Sequence, residues 1–140
     1  MTHREAPISE TVIGVGIDLV EVARMREVIA RWGDRFCARV FREDEQRYCE
    51  SRAAPWRHYA ARFALKEAVG KAFGTGIGTH IGWTDVETHR TAEGAPQVRL
   101  YGRAAELAKR RGVTRLLASL AHGHDYAVAQ VVLLAGERRP

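Results

Sequence analysis

Residues 58–73 read HYAARFALKEAVGKAF, and GTGIG follows at once over 74–78. A proline-free run rich in Ala, Leu, Lys and Glu, closed by glycine, predicts one long helix with a defined end. At about 100° per residue, Ala64, Leu65, Ala68, Val69 and Ala72 fall on one side of it. Arg62, Lys66, Glu67, Gly70 and Lys71 fall on the other, with Phe63 among them. Such a helix needs a broad apolar surface to lie against. It also carries charged groups on a side that suits a cleft.

The rest of the chain supplies that surface. TVIGVGI (11–17) is rich in β-formers and predicts a strand. DLVEVARMREVIARWG (18–33) predicts an amphipathic helix whose buried side centres on Met25, Ile29 and Trp32, with Asp18 before it and Gly33 ending it. A charged stretch then holds a short helix and a turn at Pro55. Two strands flank a turn at 93–96, a helix over 102–111 stops at Gly112, and 114–134 predicts a hairpin broken at Gly123. The order β-α-α-α-β-β-α-β-β favours an α+β fold with a mostly antiparallel sheet and packed helices. With 140 residues, one domain over 11–135 is expected, between a flexible extension at 1–10 and a tail at 136–140.

Composition narrows the setting. The net charge is +5, which suits an anionic ligand or an acidic partner without choosing between them. No apolar run approaches the ~20 residues that span a bilayer. Cys37 and Cys49 lack metal or redox spacing and fit a reduced, cytoplasmic protein.

Several residues carry two readings each. Glu67 and Lys71, at i and i+4, are either a surface pair worth a few tenths of a kcal/mol, or a metal ligand or base beside a phosphate-binding cation. In the loop after them, Gly74 and Gly76 either stop the helix or wrap backbone amides around an anion. Asp18 is either an N-cap or a carboxylate aimed into a cleft to hold a hard cation. His122 and His124 would share one side of a strand, but a third zinc ligand is missing and a turn interrupts them.

Taken together and in this order, GVGIDLVEVARM, ARFALKEAVGKAFGTGIG and ASLAHGHDYAVAQVV resemble the holo-acyl-carrier-protein synthases, the small 4′-phosphopantetheinyl transferases of bacterial fatty-acid synthesis. The resemblance runs from Val12 to Val132. It implies Mg²⁺-dependent transfer of phosphopantetheine from coenzyme A to a serine of apo acyl carrier protein, with release of adenosine 3′,5′-bisphosphate. It implies that Asp18 and Glu67 hold the metal, that Lys71 contacts phosphate, that Arg62 and His122 lie near the nucleotide, and that Arg24 faces the carrier protein. Whether Glu67 also takes the serine proton is left open. A homotrimer with active sites between subunits is implied as well. The chain departs from the family at Arg42, where a hydroxyl residue usually caps a helix three positions before Glu45, and at Ala121, where Ser or Thr is common. A basic nucleic-acid-binding domain is the alternative from another class, although no groove-reading or stacking motif supports it. A non-catalytic coenzyme A-binding homologue is a third, against which the presence of both carboxylates argues.

Overall fold

The computed structural model describes residues 9–136. Strand β1 (Glu10–Glu21) leads into helix α1 (Val22–Val40), followed by α2 (Glu43–Glu50) and α3 (Pro55–Phe73). A 3₁₀ turn at Trp83–Asp85 precedes β2 (Val86–Arg90) and β3 (Pro96–Leu100), then α4 (Gly102–Arg110), β4 (Val113–His122) and β5 (Tyr126–Gly136). The fold is α+β. A three-stranded antiparallel sheet in the order β1-β5-β4 and a two-stranded hairpin β2-β3 surround α3.

The two glycines of GVGID explain how closely strand and helix approach. A Cβ at Gly14 would lie 2.1 Å from the Ala72 carbonyl oxygen, and one at Gly16 would lie 1.9 Å from that of Ala68. Both obstacles are helix backbone, so only glycine lets β1 lie directly on α3. The small residues Ala64, Ala68 and Ala72 complete that contact from the helix side. With Leu65, Val69, Ala129, Val131 and Leu133 they form the larger core. A second core joins α1, α2 and the first half of α3 through Met25, Val40, Phe41, Cys49 and Tyr59.

Four expectations change. Strand β1 runs to Glu21, so Asp18 pairs with Ala129 inside the sheet and does not cap α1. Gly33, at φ 50° and ψ −129°, does break α1, but the chain re-enters helix and continues to Val40. The buried side of α1 therefore continues through Cys37 and Val40, while Trp32 is 52% exposed. Helix α3 begins at Pro55, its first residue, where a missing N–H costs nothing.

The fourth change concerns the charged side of α3. Arg62, Lys66 and Gly70 are buried, and Phe63, Glu67 and Lys71 form the stripe left open or half-open. Lys66 is buried completely. Its ammonium donates to Glu45 Oε1 at 2.7 Å, to the Trp83 carbonyl at 3.0 Å and to the Val86 carbonyl. Glu45 in turn accepts the N–H groups of Arg42 and Thr88, at 3.1 and 3.2 Å. Burial pulls the Lys66 ammonium below the usual lysine range, against the opposing pull of Glu45. A buried pair is tolerated only with its remaining polar groups satisfied, and here they are. At Arg42 the lost hydroxyl has a structural replacement: its guanidinium sits 3.2 Å from Glu87, donates to the Thr84 carbonyl and stacks on Tyr101, tying α2 to the β2-β3 hairpin.

The expected extension at 1–10 lies outside the described residues up to position 8. At its end, Glu10 belongs to β1 and accepts bonds from Thr114 and Arg115. At the other end Gly136 closes β5, and 137–140 lie outside the described residues.

Candidate active site

Alternation along β1 places Gly14, Gly16 and Asp18 on the sheet face that meets α3. Only Asp18 of the three has a side chain, and it emerges where the glycine contact ends. Lys71 of α3 donates to Asp18 Oδ1 at 2.8 Å and to the Ile17 carbonyl at 3.1 Å. Glu67, one turn earlier, is half-buried. Burial first, and then the neighbouring Asp18 charge, raise its carboxyl above the usual glutamate range, while Lys71 pulls the other way. The bond to Asp18 likewise holds the Lys71 ammonium above the usual lysine range. Two segments almost fifty residues apart thus bring two carboxylates and one ammonium to a single point.

That point stands between two clefts. One, of about 510 Å³, is lined by Asp18, Glu67 and Arg24 together with Met25, Val28 and Phe63. The other, of about 460 Å³, is lined by Asp18, Lys71, Ile17, Leu19 and Val128. Arg24 is therefore both exposed and on the wall of the carboxylate cleft. Two facing carboxylates with open positions beside them suit a hard divalent cation, which takes one or two carboxylates and completes its shell with water and phosphate oxygen. Among the described residues no group of three or more His, Cys, Asp or Glu gathers.

Arg62 and His122 lie elsewhere. Arg62 is five residues before Glu67, about 140° around the helix. It is 1% exposed, and its Nε and Nη1 have no hydrogen-bond partner. Its guanidinium stacks 4.2 Å from the Tyr48 ring centre, and Arg52 lies 4.6 Å from the same ring. The His122 ring meets the edge of His58, 4.7 Å between centres. Burial, followed by the charges of His122, Arg62, Arg52 and Arg90, lowers His58 to about 4. Burial and nearby arginines also lower His122. The result is a cationic cluster in which two guanidinium nitrogens of Arg62 have no partner. Arg62 and His122 were singled out in the sequence; Tyr48, Arg52, His58 and Arg90, which gather beside them, were not. These come from separate elements and share no spacing that could have joined them.

His124 does not join His122. It lies in the β4-β5 turn, with Nδ1 2.9 Å from Arg57 Nη2. Of the two readings of GTGIG, its amides follow the helix stop. Gly74 N–H donates to the Lys71 carbonyl, Thr75 and Gly76 N–H both to the Gly70 carbonyl, and Gly78 N–H to the Ile81 carbonyl. The loop glycines, with positive φ at 74, 76 and 78, turn the chain back onto the helix end.

Residues 14–131 match the family model of the 4′-phosphopantetheinyl transferase superfamily, and the chain belongs to that superfamily. It is accordingly a transferase. Among curated proteins it is 44% identical over 122 residues to a holo-[acyl-carrier-protein] synthase of Koribacter versatilis, covering 87% of this chain and 98% of that protein. To the synthase of Desulforudis audaxviator it is 48% identical over 118 residues, 84% of this chain and 89% of that protein. The holo-[acyl-carrier-protein] synthase of Helicobacter pylori, solved in complex with coenzyme A, superposes with a TM-score of 0.76 at 30% identity, covering 85% of this chain and 98% of that one. Within the superfamily the chain is thus a phosphopantetheinyl transferase of the holo-[acyl-carrier-protein] synthase type.

Proposed function

We propose that the protein transfers the 4′-phosphopantetheine arm of coenzyme A to a serine of apo acyl carrier protein in the cytoplasm, priming it for fatty-acid synthesis. Mg²⁺ is held by Asp18 and Glu67, and adenosine 3′,5′-bisphosphate leaves. The observation that carries this reading is the convergence of Asp18, Glu67 and Lys71 at the meeting of two clefts.

Displacement at a diphosphate needs charge neutralisation and positioning more than covalent help. The metal, when bound, supplies the neutralisation. Lys71 adds a further cation beside the attacked phosphate or the leaving group. Glu67 takes the serine proton, directly or through water. The serine oxygen forms the new bond to the pantetheine phosphate, and the bond to the adenosine-side phosphate breaks. The Arg62–His122 cluster receives the nucleotide end of coenzyme A.

Since that cluster and the carboxylates lie on different sides of α3, completion of the site by a neighbouring subunit is the arrangement we favour. The sheet supplies a surface for it. Val15, Ile17 and Leu19 project from β1 away from α3, 55%, 59% and 61% exposed, beside Leu117 and Tyr126. An apolar sheet face this open marks an association surface, and a homotrimer uses it. Arg24 meets the acidic carrier at the rim of the carboxylate cleft. Incubation with coenzyme A, MgCl₂ and apo carrier protein tests the reading. The carrier gains the mass of one phosphopantetheine group, and a carrier that stays apo through prolonged incubation sinks it.

A further inference from the structure

We infer that Lys71 is a built-in counter-ion of Asp18, and that Asp18 exchanges it for the divalent cation when the diphosphate arrives to receive the freed ammonium. This rests on the metal reading above and adds a device to it: one lysine serves two acceptors in turn, coupling cation binding to nucleotide binding.

The contacts are specific. Lys71 Nζ is 2.8 Å from Asp18 Oδ1 and 3.1 Å from the Ile17 carbonyl oxygen. Asp18 Oδ1 is thereby committed to a cation that belongs to the chain. Glu67 stands one turn away on the same helix stripe, and no hydrogen bond or ion pair engages its carboxylate among the described residues. Two carboxylates facing one cleft repel each other, and a cation beside them relieves part of that cost. Lys71 supplies the relief. It supplies it weakly, because its side chain is 53% exposed and that of Asp18 17%. An ion pair so open to water is readily exchanged.

The lysine also has somewhere to go. Its side chain lines the cleft on the far side of Asp18 from the Glu67 cleft. A diphosphate laid across Asp18 from one cleft to the other brings anionic oxygens within reach of Nζ. Without the nucleotide, a cation that takes Asp18 leaves Lys71 with a carbonyl and water. With the nucleotide, the same exchange gives Lys71 a new anionic partner. Cation and nucleotide therefore favour each other through Lys71, beyond any direct contact between them, and the effect is reciprocal.

Calorimetric titration of Mn²⁺ tests the inference in four states: wild type and Lys71→Met, each with and without S-methyl coenzyme A, whose blocked thiol prevents side reactions. Without nucleotide, Lys71→Met binds Mn²⁺ about two- to five-fold tighter, the scale of an exposed ion pair. The ratio of affinities with and without nucleotide falls by a similar factor in the variant. If Lys71 only raised the local potential, the variant would tighten Mn²⁺ equally in both states and leave the ratio unchanged, which overturns the inference. An unchanged or weaker affinity of the nucleotide-free variant does the same. Failure of the underlying reading looks different: wild type binds no Mn²⁺ in either state, or Asp18→Asn binds it as wild type does.

Discussion

Asp18 and Glu67 are neighbours in space because of what their own neighbours lack. Gly14 and Gly16 carry no Cβ, so β1 lies on the helix backbone and the first side chain past them meets the helix stripe of Phe63, Glu67 and Lys71. Asp18→Asn and Glu67→Gln each remove one ligand charge and leave the core untouched. Each variant is expected to lose most of its transfer activity and keep its wild-type urea midpoint. EDTA is expected to stop the wild-type reaction, and added Mg²⁺ to restore it, if Asp18 and Glu67 hold the metal as proposed. Near-normal turnover of either variant at low Mg²⁺ contradicts the metal assignment. On the proposed reading Lys71 acts on the phosphate in the transition state, where one such donor is worth roughly 2.7–4 kcal/mol. Steady-state kinetics of Lys71→Ala should show kcat falling about 10²- to 10³-fold, more than the KM for coenzyme A rises. A change confined to KM would mean that Lys71 only holds the nucleotide.

At the scale of elements, the β1–α3 contact decides whether there is a site. A methyl group at Gly16 would meet the Ala68 carbonyl at 1.9 Å and the Ala72 nitrogen at 2.8 Å, and neither can rotate away. Strand and helix would have to part. Overpacking of a close contact costs about 1–3 kcal/mol and occasionally more. Gly16→Ala belongs at the upper end, because the obstacle is backbone. Urea denaturation should show that loss. Activity of the surviving folded fraction should fall too, since the separation moves Asp18 away from Glu67. A variant with wild-type stability and turnover would show that the strand can shift freely. The other elements act through buried polar ties. Lys66–Glu45 joins α3 to α2 and the start of β2, and Arg42–Glu87 joins α2 to the hairpin.

Among the described residues the molecule presents an apolar sheet face, with Val15, Ile17 and Leu19 open on β1. Burial of the sheet face in a homotrimer predicts a light-scattering mass near three chains at micromolar concentration. Ile17→Glu places a charge at the centre of that face and should give monomers with little activity, because the cationic cluster and the carboxylates would no longer meet across subunits. A monomeric wild type with full activity would place the whole site within one chain. Arg24 belongs to the same scale, since the partner proposed for it is another protein. Charges at a rim set encounter rate and salt dependence more than intrinsic affinity. Arg24→Glu should raise the KM for carrier protein several-fold and flatten the salt dependence of kcat/KM, with coenzyme A binding nearly unchanged. If coenzyme A binding falls instead, Arg24 serves the nucleotide from the cleft wall it lines.

Local chemistry made the α3 helix, its glycine stop, the β4-β5 hairpin and the placing of Glu67 and Lys71 on one side of α3 legible from the sequence. Each depends on spacing within a few residues, which periodicity and glycine record directly. Asp18 was legible as a candidate through the motif it ends, but not its place inside the strand, because a strand's end is set by pairing with β5 and not by its own residues. Lys66 reads as solvent-facing on a helical wheel. Only tertiary structure buries it, since Glu45 and two carbonyls from α2 and the β2 region arrive to satisfy its three protons. The loop amides left two readings open, helix stop or anion cradle, and the folded chain turns them onto the end of α3. The cationic cluster around Tyr48 assembles from α2, α3, β2 and β4, and no local pattern joins those segments. The sequence by itself thus determined which elements form and which charges they carry. Which charges face water, which face each other and which are spent on holding the fold was decided by packing, because burial and partners are properties of the assembled chain.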